Sequence, residues 1–314
     1  MAVQVLDIKQ SANLIPYVTR NMNQGFTQVS PQGNWAAPLW RTEAMNKETG
    51  TYEWFQQTTE LESRANFYTP VDMKTPHAEI LDITMEYYAA GIAIPRLEAQ
   101  LDAENKWIQK AQKIGVLAQN HTTDMALAAI RAGTSTTIYD GQNWFDNSHP
   151  RGGTTFDNLL AGDLSTTTIV TAKVAMGRFP DDLGNASNHQ PDSILVAGEF
   201  EYTAKSIVNN TLSPTLTAYT ENVLKGIVST VWTDSRIPSS EDDDWYAFCT
   251  SSPFGDKPML HVEFRPGTVP NPEITNNSQM WGKEGWNQFY EFAIRYNHNL
   301  VILDPRLAIK FVGA

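Results

Sequence analysis

Apolar residues along this chain change their spacing several times, and the changes mark its elements. Residues 1–39 carry scattered apolar positions broken by Pro16, Pro31 and Pro38, with Gly25, Gly33 and several Asn and Gln between them. Such a segment has little means to build a core, so it reads as an extended arm that gains order by lying on something else. Residues 40–80 read as a long β-hairpin. Tyr52, Trp54 and Gln56 share one side of a strand, and Glu53, Phe55 and Gln57 the other. Lys47-Glu48-Thr49-Gly50 is a turn signal, and a second extended run over residues 64–69 ends at Pro70. Both faces mix aromatics with charges, and a hairpin with no dry face wants a partner surface. Residues 80–94 continue as strand, with Leu81, Ile83, Met85 and Tyr87 as the apolar face, until Pro95 stops it.

The spacing then turns helical. Over residues 97–132, Leu97, Leu101, Ile108, Ala111, Ile114, Ala118, Met125 and Ala129 recur every three, four or seven positions. Asp102 suits an N-cap and Gly133 a C′ position, while Gly115 is a point of weakness or bending. Residues 134–164 read as loop with short strand. A helix over 166–179 capped by Ser165, a strand over 193–197 and a helix over 199–209 follow. Strands over 223–233 and 245–250 flank an acidic turn, and this alternation suggests an α/β or α+β unit. The chain closes with strands over 259–264 and 286–311. In the long strand Tyr290, Phe292, Ile294 and Tyr296 form the apolar face, and a turn is expected near Asn297-His298-Asn299.

Length and composition narrow the class. At 314 residues, 41% hydrophobic and 18% charged, the chain is an ordered globular protein of one large or two modest domains. It has a single cysteine, Cys249, which cannot form an internal disulfide or a multi-cysteine zinc site and reads as a buried inert thiol of a reducing compartment. No basic segment followed by an apolar stretch opens the chain, so no signal peptide is expected, and no apolar run is long enough to span a membrane. The net charge of −12 argues against electrostatic capture of nucleic acid, but not against enclosing it.

The chemistry on offer is thin. His149 lies near Asp140 and Asp146, which would suit a metal or acid–base site; the plainer reading is a turn-rich loop whose polar side chains satisfy their own backbone, anchored by Tyr139, Trp144 and Phe145. His121 and Asp124 sit three apart on the long helix with no second pair to match, which reads as a solvated helix face. The acidic run Glu241-Asp242-Asp243-Asp244 and the stretch Asp181-Asp182-Leu183-Gly184-Asn185 lack the spacing of a calcium loop and read as solvated. No serine-nucleophile, P-loop or dinucleotide fingerprint occurs. No catalytic residue, metal ligand or cofactor is assigned. The nine tryptophans are read as core and subunit-contact residues.

The order of arm, long hairpin, strand, long helix, compact insert and terminal long strand resembles the HK97-type capsid fold of tailed bacteriophages. One segment sharpens this: Ile138-Tyr139-Asp140-Gly141-Gln142-Asn143-Trp144-Phe145-Asp146-Asn147-Ser148-His149-Pro150 is similar to a loop that follows the spine helix in Mu-like major head subunits. Asp304-Pro305-Arg306 between two strands is similar to the end of many such subunits. The resemblance implies an α+β chain with an N-terminal arm (1–39), an E-loop hairpin (40–80), a first P-domain part with its spine helix (81–150), an A-domain (151–275) and a P-domain return strand with the C-terminal end (276–314). It implies a non-enzymatic major capsid protein that assembles with itself into hexamers and pentamers of an icosahedral shell around double-stranded DNA, without sequence-specific binding. Expected partners are a portal, a separate scaffolding protein and, in some shells, a decoration protein; expected localisation is the virion, assembled in the host cytoplasm. Inter-subunit contacts are expected at Trp35, Trp40, Trp54, Phe55, Arg64 and Phe67. Lys47 and Lys74 lie on the hairpin with no identified acid catalyst or acceptor, so a denaturing gel of assembled shells is expected to show monomer only, without a ladder of covalent oligomers. An encapsulin-like cellular compartment shares the fold, and a soluble hydrolase using His149, Asp146 or the acidic run is the other alternative.

Overall fold

The computed structural model describes residues 11–27, 34–55, 78–95, 98, 106–209, 223–252, 255–265, 273–277 and 289–313. Two five-stranded sheets organise them. The first runs β1 (Trp40–Met45), β11 (Met259–Phe264), β13 (Phe289–Ile302) and β12 (Glu273–Asn277), with β4 (Glu86–Pro95) also paired to β13. The second runs β7 (Leu159–Ala161), β14 (Ala308–Val312), β10 (Trp245–Phe248), β8 (Ser193–Ala197) and β9 (Thr230–Asp234). The sheets therefore cut across the expected segment boundaries. β11, inside 151–275, lies in the first sheet, and β14, at the chain's end, lies in the second between β7 and β10.

The second sheet is covered on both faces, which explains why β8 and β10 are buried at every position and carry one polar residue, Ser193, besides the Tyr246 hydroxyl. Ile194, Val196, Trp245 and Ala247 face helices α3 (Thr166–Arg178) and α4 (Glu201–Asn209), through Ile169, Ala172, Met176, Ala204 and Ile207. Leu195, Ala197, Tyr246 and Phe248 face the other way, onto Ala126, Leu127 and Ile130 of helix α2 (Lys106–Arg131) and onto Trp144 and Phe145. Ser165 caps α3 as expected, its hydroxyl accepting from the Thr168 amide at 3.1 Å in a reciprocal capping box.

The helix expected over 97–132 is observed as α2 from Lys106; Leu97, Leu101 and Asp102 lie outside the described residues. Its first half buries Ile108 and Ala111 as expected, but its second half buries Thr122, Thr123, Ala126, Leu127 and Ile130 in place of a stripe through Met125 and Ala129. The expected stripe followed a seven-residue step, which drifts by ~20° per heptad on a straight helix. Gly133 is not a left-handed cap. It sits in a short 3-10 turn, and a Cβ there would fall 2.5 Å from the Phe145 ring, so close packing demands the glycine.

The extended reading of residues 1–39 fails at Ser11–Thr27, which form helix α1. Val18 and Met22, one turn apart, are fully buried against α2, β4 and β13 in a cluster with Ala111, Ile94, Phe292 and Ile294. The helix forms because α2 supplies the core that the segment lacks on its own. β1 also departs from expectation: it pairs in parallel with β11 and is not part of the hairpin. The hairpin is β2 (Thr49–Phe55) with β3 (Ala78–Thr84), in register Tyr52 opposite Leu81. The strand over 80–94 is broken at Met85, whose amide donates to the Glu48 carbonyl at 2.8 Å. Beyond it the alternation changes phase, so Tyr87, expected on the apolar face, is 57% exposed. Residues 223–226 form a 3-10 turn before β9 starts at Thr230, where strand was expected throughout. No turn occurs near His298. β13 runs unbroken to Ile302, and its buried face of Phe292, Ile294 and Tyr296 continues through His298.

Candidate functional site

The 138–150 segment folds as an anchored loop after α2. Gly141 takes φ +82, a left-handed turn position that favours glycine. Asp140 Oδ1 accepts the Gln142 amide at 3.0 Å, and Asp146 Oδ1 accepts the amide and hydroxyl of Ser148 at 3.1 and 2.9 Å, so both carboxylates close their own turns. Trp144 and Phe145 stack at 4.7 Å and are buried. His149 is fully buried: Nδ1 meets Asp140 Oδ2 at 2.7 Å and Nε2 meets the Trp144 carbonyl at 3.2 Å. With both nitrogens engaged inside the chain, this imidazole is not placed to take a proton from a substrate. Asn158, which the sequence did not single out, ties the loop to the chain's end. Its amide nitrogen donates to the carbonyls of Trp144 (2.8 Å) and Pro305 (3.0 Å), and its side-chain oxygen accepts the Asp146 amide at 2.9 Å.

A buried charge network continues from there. Asp304 is 0% exposed and accepts from the Arg306 amide at 2.9 Å, Nε at 3.0 Å and Nη2 at 2.8 Å. Arg306 Nη1 lies 3.8 Å from Asp182, which takes Arg151 Nε at 2.7 Å. Burial disfavours the Asp304 carboxylate, but the Arg306 charge and its hydrogen bonds outweigh that and hold its pKa below the usual range. Burial pushes the Tyr139 hydroxyl beside this network upward. The expectation that Asp181-Asp182 belongs to a solvated loop therefore fails at Asp182, because two buried arginines require a counter-charge. Asp181 does cap its own turn, accepting the amides of Leu183 and Asn185 at 2.9 and 2.8 Å.

The acidic run is likewise held. Glu241 takes Arg131 through both carboxylate oxygens at 2.9 and 3.1 Å, and Asp244 pairs with Lys310 at 2.7 Å. Asp244 is 9% exposed, so the solvated reading fails there too. His121 and Asp124 diverge: Asp124 pairs with Arg236, and His121 turns inward to His298 at 3.1 Å. Among the described residues no group of histidine, cysteine or carboxylate side chains could hold a metal ion. Burial pushes the Cys249 thiol up to about 11, as an inert core thiol requires. No helix of the described residues is long and apolar enough to cross a membrane.

The expected contact residues divide. Trp35 is 8% exposed, with its indole N–H donating to Asp234 at 2.8 Å and its ring 5.8 Å from Trp232, so its own chain covers it. Trp40 is half-buried, 5.9 Å from the His261 ring. Trp54 and Phe55 are placed only by backbone register, opposite Glu79 and Ala78. Arg64 and Phe67 lie outside the described residues, as does Lys74. The β2–β3 ribbon forms a two-stranded sheet of its own. Its base borders a groove of about 870 Å³ walled by Met45, Tyr52, Ile83, Leu260 and Val262, with Glu43, Lys47 and Asp82 also lining it. Ile80 on the ribbon is 60% exposed.

Comparison with known proteins places this architecture. The family model for phage capsid protein matches residues 78–311. Over 146 residues the chain is 27% identical to the Mu-like prophage FluMu major head subunit of Haemophilus influenzae, across 45% of this chain and 46% of that protein, so it matches about half of that relative's length. In fold it is similar to the procapsid of bacteriophage JBD30, with TM-score 0.51 and 16% identity over 96% of this chain and 74% of that one. It is also similar to the mature capsid of bacteriophage PhiM1, with TM-score 0.57 and 9% identity over 91% of this chain and 88% of that one. The family match runs from the second strand of the hairpin through α2, the buried loop and both sheets to β14, and on that match the chain belongs to the phage capsid protein family, with the HK97-type α+β fold.

Proposed function

We propose that this chain is the major head subunit of a tailed bacteriophage, assembling with itself into hexamers and pentamers of an icosahedral shell that encloses double-stranded DNA. The observation that carries this reading is the β2–β3 ribbon. Its base packs Ile83, Leu81 and Tyr52 onto Leu260 and Val262. It remains two-stranded, with Ile80 exposed and Trp54 and Phe55 on its strand, and the part of a two-stranded ribbon beyond such support is marginal in water. A neighbouring subunit supplies the missing surface, and head-to-tail contacts of one chain with its copies close into rings. The exposed Val170, Val174 and Tyr202 on α3 and α4 are candidates for the contacts of the 151–275 insert around those rings. A net charge of −12 suits a wall along which DNA moves without adhering. The head-subunit relative favours a phage shell over a cellular compartment, and a hydrolase is less well supported because His149 is enclosed and Asp146, Glu241 and Asp244 are held by partners of their own chain. A portal, a separate scaffolding protein and a decoration protein are the partners this role implies, and its location is the virion.

The test is negative-stain electron microscopy of the purified chain, alone and with the products of neighbouring genes. Closed shells, tubes or rings are expected. A monodisperse monomer at high concentration, scaffold candidates included, overturns the assembly reading. Trp54→Ala with Phe55→Ala is expected to lower shell yield at least ~10-fold, since losing an aromatic anchor costs about 2 kcal/mol or more per contact. Unchanged yield removes the ribbon as an assembly clamp.

A further inference from the structure

Three imidazoles stand in a hydrogen-bonded row across the seam between α2 and the first sheet. His121 Nδ1 on α2 meets His298 Nε2 on β13 at 3.1 Å, and His298 Nδ1 meets His261 Nε2 on β11 at 3.1 Å. His261 Nδ1 ends the row at the Thr42 hydroxyl of β1, 3.3 Å away. His298 is 0% exposed and His261 3%. Each nitrogen-to-nitrogen contact has room for one proton, so three neutral imidazoles satisfy the row in either direction. A second proton on His298 makes it a donor at both contacts, which fixes His121 and His261 as acceptors towards it and ends the choice of direction, and it places a cation where water cannot reach it.

We propose that this row is an acid-sensitive latch: neutral, it holds α2 against β1, β11 and β13, and protonation of its middle imidazole opens that seam. The charges on the elements packed around the row are already engaged. On β11, Glu263 lies 4.0 Å from His261, but it already takes Arg265 and the Tyr296 hydroxyl, the latter at 3.1 Å. On β13, Tyr296 stacks on His298 at 3.9 Å and brings no charge. On β4, Glu86 stands opposite His298 in the ladder and takes the hydroxyl of Tyr88, which packs 4.0 Å from His121; on α2, Asp124 is paired with Arg236. On β1, Trp40 and Thr42 are neutral. Asp124 and Glu86 thus act on the His121 end, and the one carboxylate opposite His298, Glu86, is engaged by Tyr88. Burial lowers His298 to about 3, helped by its two neighbouring histidines, and burial lowers His261 to about 4 against the pull of Glu263. The folded chain then binds fewer protons than the unfolded one between about pH 4 and ~6.5, and stability falls as pH falls through that window.

The latch stands whatever the chain assembles into, so the test uses the full-length chain in solution. Urea unfolding followed by tryptophan fluorescence is measured from pH 7.5 to 4.5 for the wild type and His298→Gln, whose amide can donate to one neighbour and accept from the other without titrating. The wild-type unfolding constant is expected to rise by up to ~10-fold per pH unit for each histidine kept neutral, and His298→Gln to lose ~10-fold per pH unit of that slope. Should His298→Gln not fold, His261→Gln, which removes the other imidazole that burial holds neutral, reads the loss of slope instead. Parallel pH profiles in wild type and variant overturn the latch, since a merely structural row would lower stability equally at every pH.

Discussion

Asp304→Ala is expected to destabilise the chain by ~3–5 kcal/mol, because it leaves a buried guanidinium without its nearest carboxylate. Arg306 is 6% exposed and directs its amide, Nε and Nη2 at Asp304. The loss is expected to spread. Pro305, between the two, offers its carbonyl to Asn158, and Arg306 leads through Asp182 to Arg151, so the 138–158 loop loosens with it. Asp304→Asn keeps an acceptor for the Arg306 amide but removes the charge, and a similar loss is expected. Urea midpoints measure both, and hydrogen exchange in the loop measures the spread. The pH dependence has a fixed sign. The Asp304 carboxyl is held below its usual pKa of 3.8, so its contribution is full above that value and is lost as pH falls through the lower, folded one. A variant within ~0.5 kcal/mol of wild type at pH 7 would show that the pair contributes no net stability.

This network also marks where sequence reasoning stopped. Arg151, Asp182 and the Asp304-Pro305-Arg306 stretch lie far apart in sequence, and nothing in their spacing says that folding brings them together. Local charge runs read as solvated because exposure is the common fate of Asp and Arg. Elements with dense local signals were legible: the Ser165-capped helix, the four consecutive apolar residues of β8, the Met259–Phe264 strand and the apolar face of β13 all stand where their patterns put them. The loop read from Tyr139, Trp144 and Phe145 is an anchored one, as its turn residues implied.

The misses have two physical origins. At His298 the period-two alternation ran on through Tyr296, His298 and Leu300, but Asn297 and Asn299 looked like a turn, and a buried histidine was not allowed for. Tertiary pairing to β11 and β4 overrode the turn propensity of the two asparagines. The histidine row was hidden by that one misreading, since the face carrying His298 faces His121 and His261. At α1, polar composition and Pro16 argued for extended chain, and the four-residue step from Val18 to Met22 was too short a signal to outweigh them. What makes it a helix is a partner surface 90 residues further on, which no local window contains.

Gly115→Ala tests that partnership through a sign that helix propensity alone gets wrong. In an isolated helix the change stabilises by about 1 kcal/mol. Here it is expected to destabilise by ~2–4 kcal/mol, as Val18 and Met22 lose burial worth ~1.5–3 kcal/mol each and α2 recovers part of it in propensity. The reason is contact between backbones. A Cβ on Gly115 would run into the Met22 carbonyl oxygen and stand 2.7 Å from the Phe26 amide nitrogen, and one on Gly25 would meet the Gln112 carbonyl. Backbone atoms cannot rotate out of the way as a side chain can, so α1 itself must lift. Gly25→Ala is expected to lose a similar amount, and the double variant less than the sum, because both break one contact. Gly226→Ala is the control: its Cβ would meet nothing within 4 Å, and little change is expected. Urea unfolding gives the energies, and protease cleavage within Ser11–Thr27 reports whether α1 has left its groove. If Gly115→Ala raises stability instead, α1 is not seated on α2 in solution, and residues 1–39 return to the extended arm that their composition first suggested.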